Sequence, residues 1–599
     1  MRASGTGSGG LAEQRWCRSP FLTAAAACFF LAVLTFATFR PILHNDFIDW
    51  DDREVIADNP DFSPPRLDAL AHYWTKPFRG LYIPLTYTAW GLIASIASRS
   101  GGSGPLDPTA FHVASVAVHA LASILVFFLV RRVVRSGLAA WFGAAVFAVH
   151  PLQVEAVAWM TSFYTVLGGC LSLAALYAYV VFADWRDDAH RPLATWSMYA
   201  LATLFFVAAL LAKPSSVVVP LLGLALQPLQ RRPLRPALIP LGTWLLLAVP
   251  ITWITHSAQS AAAVFTTNWP MRLVLAFDSL AFYLHTLVLP IHLIPDYGRS
   301  PRWAQSHPLA LLDVCVPLVV LTAGWAWRRR FRWLLPTMAI SALSLLPVLG
   351  LVPFSFQRYS TVADRYFYLG MLGPAMLVGY LLAKPRTVML VAATAVVLIC
   401  ASLSHAQSEN WHDSKTLFDY TLSVNPHSLA ADYVLGKITA AAGFQEAAAA
   451  KSPAELSAAD ARLYQAIQYD SQALRTDPTF SEVLFNLANL YERTGHLEAA
   501  VDTYERAVHG QAATAQQWNN LGIALTQLGR ADEAQNAFAT ALRIDPQYAD
   551  AEADWGLLLV AMGDAEGASK HFHRALSLRP DCAAALHGLE ALRQIQGSP

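Results

Sequence analysis

Charge is scarce in this chain. Only 14% of its 599 residues are Asp, Glu, Lys or Arg, against about 25% in an ordinary soluble domain. The two signs balance, 42 basic against 42 acidic, so a general nucleic-acid role is not indicated. Cysteine is also sparse. Cys17, Cys28, Cys170, Cys315, Cys400 and Cys582 stand alone, with no Cys-x-x-Cys pair and no Cys/His ligand spacing. That argues against both a disulfide framework and a zinc site. Apolar residues are abundant instead: 55% of the chain is hydrophobic, and mean hydropathy is +0.37 even though the last third is polar.

The apolar residues fall in runs at roughly 21–40, 111–130, 138–151, 163–182, 195–212, 215–228, 236–255, 308–327, 333–352, 366–383 and 387–404. Runs of this kind suit a bilayer. Arg15 and Arg18 precede the first, which reads as an uncleaved span, not a signal peptide. Every second connection is basic: Arg131/Arg132/Arg135, Arg186/Arg191, Arg231/Arg232/Arg235, Arg328/Arg329/Arg330/Arg332 and Lys384/Arg386. Positive-inside bias makes these the cytoplasmic loops. The expectation is an all-α bundle of about eleven spans with its tail outside. Segments 81–97 and 273–293 are apolar but carry Pro84, Asp278, His285 and Pro290. They read as juxtamembrane or re-entrant helices.

Past residue 406 the pattern changes. Gly522 and Gly556, Phe538 and Phe572, Ala541 and Ala575, and Pro546 and Pro580 repeat at one common spacing of 34. Trp518, Leu521 and Ala534 fall in phase, and Leu487, Ala488, Tyr491, Ala500, Tyr504 and Ala507 supply an earlier unit. This looks like the tetratricopeptide repeat. Small residues let paired helices approach, aromatics fill the gap and proline ends the second helix. About four units and a capping helix after Asp581 are expected, with an Ala-rich insertion at 444–460. The predicted layout is a cytoplasmic tail at 1–20, a membrane domain at 21–405 with an outer loop at 41–110, and a repeat solenoid at 406–599.

Chemistry-bearing residues cluster in the predicted outer loops. The first carries Asp49-Trp50-Asp51-Asp52 and Asp58-Asn59-Pro60. A carboxylate there can act as general base on a hydroxyl, help bind a cation, or simply be a solvated acidic loop. Arg365, at the outer end of the tenth run, has the forked geometry that suits a phosphate, or it snorkels at the interface. Lys213 lies at the turn between runs five and six. It is either a second cation for the same site or an ordinary turn lysine. His150 and Glu155 could orient an acceptor or a base, or cap helix ends. His112 and His119 share a helix face and read as buried hydrogen-bonding groups.

Taken in order, these pieces resemble the GT-C membrane glycosyltransferases, and within them the transmembrane-and-tetratricopeptide-repeat O-mannosyltransferase group and its bacterial relatives. The matching pieces are Asp51-Asp52 with Asp58-Asn59-Pro60, Tyr73-Trp74, Tyr82-Ile83-Pro84-Leu85-Thr86, Phe111-His112, His119-Ala120, His150-Pro151 with Glu155-Ala156-Val157, Lys213-Pro214 and Ala363-Asp364-Arg365-Tyr366. The resemblance implies a polyprenyl-phosphate-linked sugar donor and transfer to a hydroxyl, on an exported polypeptide, outside a bacterial-type inner membrane. It maps the catalytic carboxylate to Asp51 or Asp52, with Asp51 preferred and Asp52 supporting, and a phosphate-linked donor would give Arg365 and Lys213, by their charge and position, the donor phosphate to hold. His150, Glu155 and Tyr82 become acceptor-side or supporting residues. It specifies no cofactor and leaves a divalent metal open. One stretch departs from the family: Thr161 to Leu167 is uncharged, where the relatives usually carry a basic residue and then an aspartate.

Two other readings compete. A membrane-anchored repeat scaffold for envelope assembly would need no catalysis, but one helix would anchor it. A transporter of lipid-linked sugar would place ionisable groups deep in facing spans, and few are present.

Overall fold

The computed structural model describes residues 20–98, 106–187, 192–260, 267–307, 310–510 and 513–597. The predicted cytoplasmic tail lies outside the described residues, apart from Pro20. Among the described residues the fold is all-α, with two isolated bridges in the first long loop and no named strands.

The chain forms two compact units. The first holds the apolar helices. Six are long and apolar enough to cross a membrane: Pro108–Val134, Phe163–Arg186, Pro192–Ala212, Arg235–Ala258, Trp269–Val288 and Thr387–Glu409. A bent pair, Gly137–Val149 with Pro151–Ala158, turns through 54° and would make a seventh. The other predicted runs are shorter apolar helices, among them Cys315–Trp327, Leu334–Ser344 and Leu369–Leu381. Eleven full-length spans are therefore not what length and composition alone support.

Local sequence sets the helix ends. Asp107 accepts the Thr109 amide at 2.9 Å, with Pro108 in the first turn. That helix stops where Arg135 takes a left-handed conformation at φ 61°. In Trp269–Val288, Asn268 caps the first turn and Pro290 lies beyond the last. The helix runs unbroken from Trp269 to Val288 and is long and apolar enough to cross a membrane, overlapping the segment 273–293 expected to be juxtamembrane or re-entrant. Arg272, in its first turn, donates to the Leu351 carbonyl at 3.3 Å. The Leu287 carbonyl, in its last turn, meets His150 at 3.1 Å.

The second unit holds the repeats, together with Ile294–Trp303 and Phe356–Ser360. Four helix pairs follow Ser414–Val424: Leu429–Ala449 with Pro453–Thr476, Ser481–Arg493 with Leu497–Val508, Ala515–Gln527 with Ala531–Ile544, and Ala549–Ala561 with Ala565–Leu578. Ala583–Gly597 caps the stack. The expected insertion at 444–460 is absorbed. It lengthens both helices of the first pair, where Gly443 lies against Leu463. The periodic glycines are packing residues. A Cβ on Gly522 would stand 2.6 Å from the Phe538 ring, and one on Gly556 would stand 2.5 Å from Phe572. Gly522→Val is therefore expected to destabilise its repeat by about 1–3 kcal/mol through overpacking. Hydrogen exchange of full-length protein over 515–544 would read this, and unchanged protection would refute it.

Candidate active site at the acidic loop

The acidic loop is held from several sides. Asn45 donates to the Ser408 carbonyl at 3.2 Å, and the Asp46 amide donates to the His412 carbonyl at 2.8 Å. Its apolar underside joins Phe47, Ile56, Phe62, Tyr73, Tyr87 and Phe163 in one cluster. Asn59 bonds Val55 and the Tyr73 hydroxyl, each at 3.0 Å, and Tyr73 donates to Asp61 at 2.9 Å. The Asp58-Asn59-Pro60 motif is thus anchored by the Tyr73 motif.

Asp51 and Asp52 differ in environment. Asp52 is fully buried. Its Oδ1 accepts from the Thr161 amide at 2.7 Å and from the Thr161 hydroxyl. Its Oδ2 accepts from the Ile48 amide at 3.0 Å. Burial pushes the Asp52 carboxyl up to about 7, against the lowering effect of these hydrogen bonds. Asp51 is only half-buried. Next to it, Trp50 stacks on Trp159 with ring centroids 5.5 Å apart.

Thr161 and Trp159 belong to a turn at 159–162 that leads into Phe163–Arg186, and this turn with the first residues of that helix touches Asp52, Lys213 and Arg365. The Lys213 ammonium donates to the Thr165 hydroxyl at 2.8 Å and sits 5.3 Å from the Tyr164 ring. Gly168 makes this approach possible, because a Cβ there would lie 2.7 Å from the Lys213 Cβ. Burial pushes the Lys213 amine down to about 7. Arg365 adds to that effect and Glu155 opposes it. The Arg365 guanidinium lies 4.9 Å from both the Trp159 and Tyr366 ring centroids. Tyr164 is within electrostatic reach of Asp51, Glu155 and Arg365.

Glu155 and Arg365 form a buried ion pair. One Glu155 oxygen accepts from the guanidinium, and the other accepts the Arg365 backbone N–H at 2.8 Å. Sequence reasoning treated these two residues separately and missed the pairing. It also read 161–167 only as a loss of charge, whereas Thr161 and Thr165 are the links to Asp52 and Lys213. Gly168-Gly169 was the available signal. A Cβ on Gly169 would stand 2.4 Å from the Tyr368 ring, so adjacent glycines marked two close approaches.

Two predicted site residues lie apart from this cluster. His150 caps the turn at the helix bend: its Nδ1 accepts from the Leu152 amide at 3.3 Å and its Nε2 meets the Leu287 carbonyl. Tyr82 donates to the Trp74 carbonyl at 3.1 Å. His119 bonds the Tyr368 hydroxyl and the Ala148 carbonyl, each at 2.9 Å, the buried role expected for it. Among the described residues no three His, Cys, Asp or Glu side chains are grouped to hold a metal.

Tetratricopeptide-repeat family models match residues 485–549 and 525–592. The chain is thus an all-α protein that joins membrane-type helices to a tetratricopeptide-repeat unit. It is similar to proteins named protein O-mannosyl-transferase, the group whose motifs it resembles. Tmtc1 of Drosophila melanogaster is 28% identical over 218 residues, 34% of this chain and 24% of that protein. F38B6.6 of Caenorhabditis elegans is 22% identical over 437 residues, 68% of this chain and 59% of that protein. Each match spans less than two thirds of the relative's own length. Among solved structures, the tetratricopeptide-repeat protein YrrB is 20% identical, with 30% of this chain and 82% of that one covered, at a TM-score of 0.25. MamA is 22% identical, with 25% and 86% covered, at 0.22. Neither likeness bears on function.

Proposed function

We propose that this chain is an integral membrane glycosyltransferase. It moves a sugar from a polyprenyl-phosphate donor to a protein hydroxyl on the outer face of the membrane. The relatives' names make mannose the first sugar to test. Asp51 takes the proton of the acceptor hydroxyl as that oxygen bonds the anomeric carbon. The bond between that carbon and the phosphate oxygen breaks, and the phosphate departs with the electron pair. Lys213 and Arg365 stabilise its charge. The repeat unit presents the acceptor polypeptide. The topology follows from the basic loops, which leave the acidic loop and the repeat unit on the exported side of a bacterial-type inner membrane.

One observation carries this reading. The segment 159–165, a turn and the start of Phe163–Arg186, bonds the acidic loop through Asp52, holds Lys213 through Thr165 and stacks Trp159 on Arg365. A candidate base and two candidate phosphate-binding cations therefore share one support. The test is mass spectrometry of exported glycopeptides in a deletion strain, the strain restored with the native chain, and the strain restored with Asp51→Asn plus Asp52→Asn. A glycan mass should be lost on deletion and restored only by the native chain. Full restoration by the double variant would remove the acidic loop from the chemistry and favour a scaffold.

The Lys213 amine gives a pH prediction. It is lowered to about 7, so it is charged below that pH and neutral above. Donor affinity is expected to fall as pH rises through about 7. Phosphate binding should in turn cause proton uptake at pH 8. Lys213→Met should weaken binding and flatten this dependence. A pH-independent donor KM in the native enzyme would exclude Lys213 from the phosphate site.

A further inference from the structure

A cavity of about 920 Å³ lies at the other end of the first membrane helices. Its apolar wall includes Ala27 of Pro20–Thr38, Phe127 of Pro108–Val134, Trp141 of Gly137–Val149 and Tyr177 of Phe163–Arg186. Its rim carries Arg131, Arg132 and Arg135. Along Pro108–Val134, Arg131 is 20 residues beyond Phe111, a residue of the acidic-loop cluster. At 1.5 Å per residue that is about 30 Å, the thickness of a bilayer core. This cavity is not the site described above.

The three arginines are not equivalent. Arg132 is bound to Asp184, which Arg232 also holds at 2.7 Å. Among the described residues Arg131 and Arg135 have no carboxylate partner. Arg131 lies 5.9 Å from the Phe127 ring, and Arg135 is exposed just past the helix end. The pocket therefore offers uncompensated positive charge above an aromatic and aliphatic channel. A soluble anion would fill the charged rim and leave the channel wet. A lipid would satisfy both.

We propose that this cavity binds an anionic glycerophospholipid in the leaflet opposite the acidic loop. Its phosphate sits between Arg131 and Arg135, and an acyl chain lies along Ala27, Phe127 and Trp141. Guanidinium groups suit the phosphate oxygens, and basic clusters at a cytoplasmic interface attract anionic headgroups. The site is distinct from the transferase chemistry and stands whether or not that reading holds.

The test uses the full-length chain in nanodiscs of phosphatidylcholine doped with phosphatidylglycerol. Lipid retained after transfer to detergent is counted by native mass spectrometry. The native chain should retain phosphatidylglycerol over phosphatidylcholine. Arg131→Gln with Arg135→Gln should reduce retention about 30-fold, from about 1 kcal/mol per interfacial arginine. Ala27→Trp fills the channel without changing charge and should also reduce retention. It keeps the test decisive if the arginine variant misfolds. Arg329→Gln, in another basic loop, should change nothing. Equal retention by both pocket variants, or an equal loss with Arg329→Gln, would overturn the site. Displacement by excess inorganic phosphate at matched ionic strength would show a soluble-anion site and overturn the lipid assignment.

Discussion

Asp51→Asn should lower glycosyl transfer by about 10²- to 10⁴-fold, the usual worth of a general base, with little change in folding or donor affinity. The expectation rests on the contrast between two neighbouring carboxylates. Asp51 is half-buried and can meet an incoming hydroxyl. Asp52 has no exposed surface and accepts three hydrogen bonds from protein donors. A base must reach the proton it removes, and Asp52 is already engaged in holding the loop.

Asp52→Asn should therefore behave differently. An amide there would face Ile48 or Thr161 donors with its own NH₂, leaving buried donors opposed. About 1–3 kcal/mol of local stability should be lost for each buried group left unsatisfied. Hydrogen exchange over 159–165 would then rise, and activity would fall through disorder of the turn. Asp52 also makes that local stability depend on pH. Its folded value, about 7, exceeds the ordinary aspartate value of 3.8, so the folded state binds more protons between these values. Its stabilising contribution is complete below about pH 4 and is lost as pH rises through about 7. If Asp51→Asn keeps full turnover while Asp52→Asn loses turnover without added exchange, the two roles are reversed.

How much of this could be read from the chain depends on the range of each interaction. The repeats were legible because Gly522 with Phe538 and Gly556 with Phe572 recur at a fixed spacing, and the same small-against-aromatic packing appears in space. The apolar runs were legible as helices, but their number as spans was not, because several fold to 11–13 residues. The site was legible only as a set of residue types. Asp52 meets Thr161 across 109 positions, and Glu155 meets Arg365 across 210. Pairings of that separation leave no periodic trace. The neutral stretch at 161–167 was conspicuous for missing charge, yet its threonines are the hydrogen-bonding links. His150 reads from sequence as either an acceptor-side group or a helix-end cap, and only the structure shows that both its ring nitrogens hold a helix bend.

Glu155→Ala should be the most destabilising single change in the membrane unit, by about 3–5 kcal/mol, because it strands a buried cation. Arg365 is 3% exposed and Glu155 2%. The guanidinium cannot escape by losing a proton at any accessible pH. The same substitution also removes the acceptor of the Arg365 backbone N–H. Arg365→Ala should also be destabilising, because it leaves the Glu155 carboxylate buried without its partner. Glu155→Leu with Arg365→Met removes both charges and should recover most of the stability. That double variant separates the two roles assigned to Arg365. If the arginine only holds the 159–162 turn through Trp159, the stable double variant should retain transfer. If it also holds the departing phosphate, transfer should stay lost while thermal unfolding returns toward the native value. Native-like stability in Glu155→Ala itself would show that this ion pair does not organise the site.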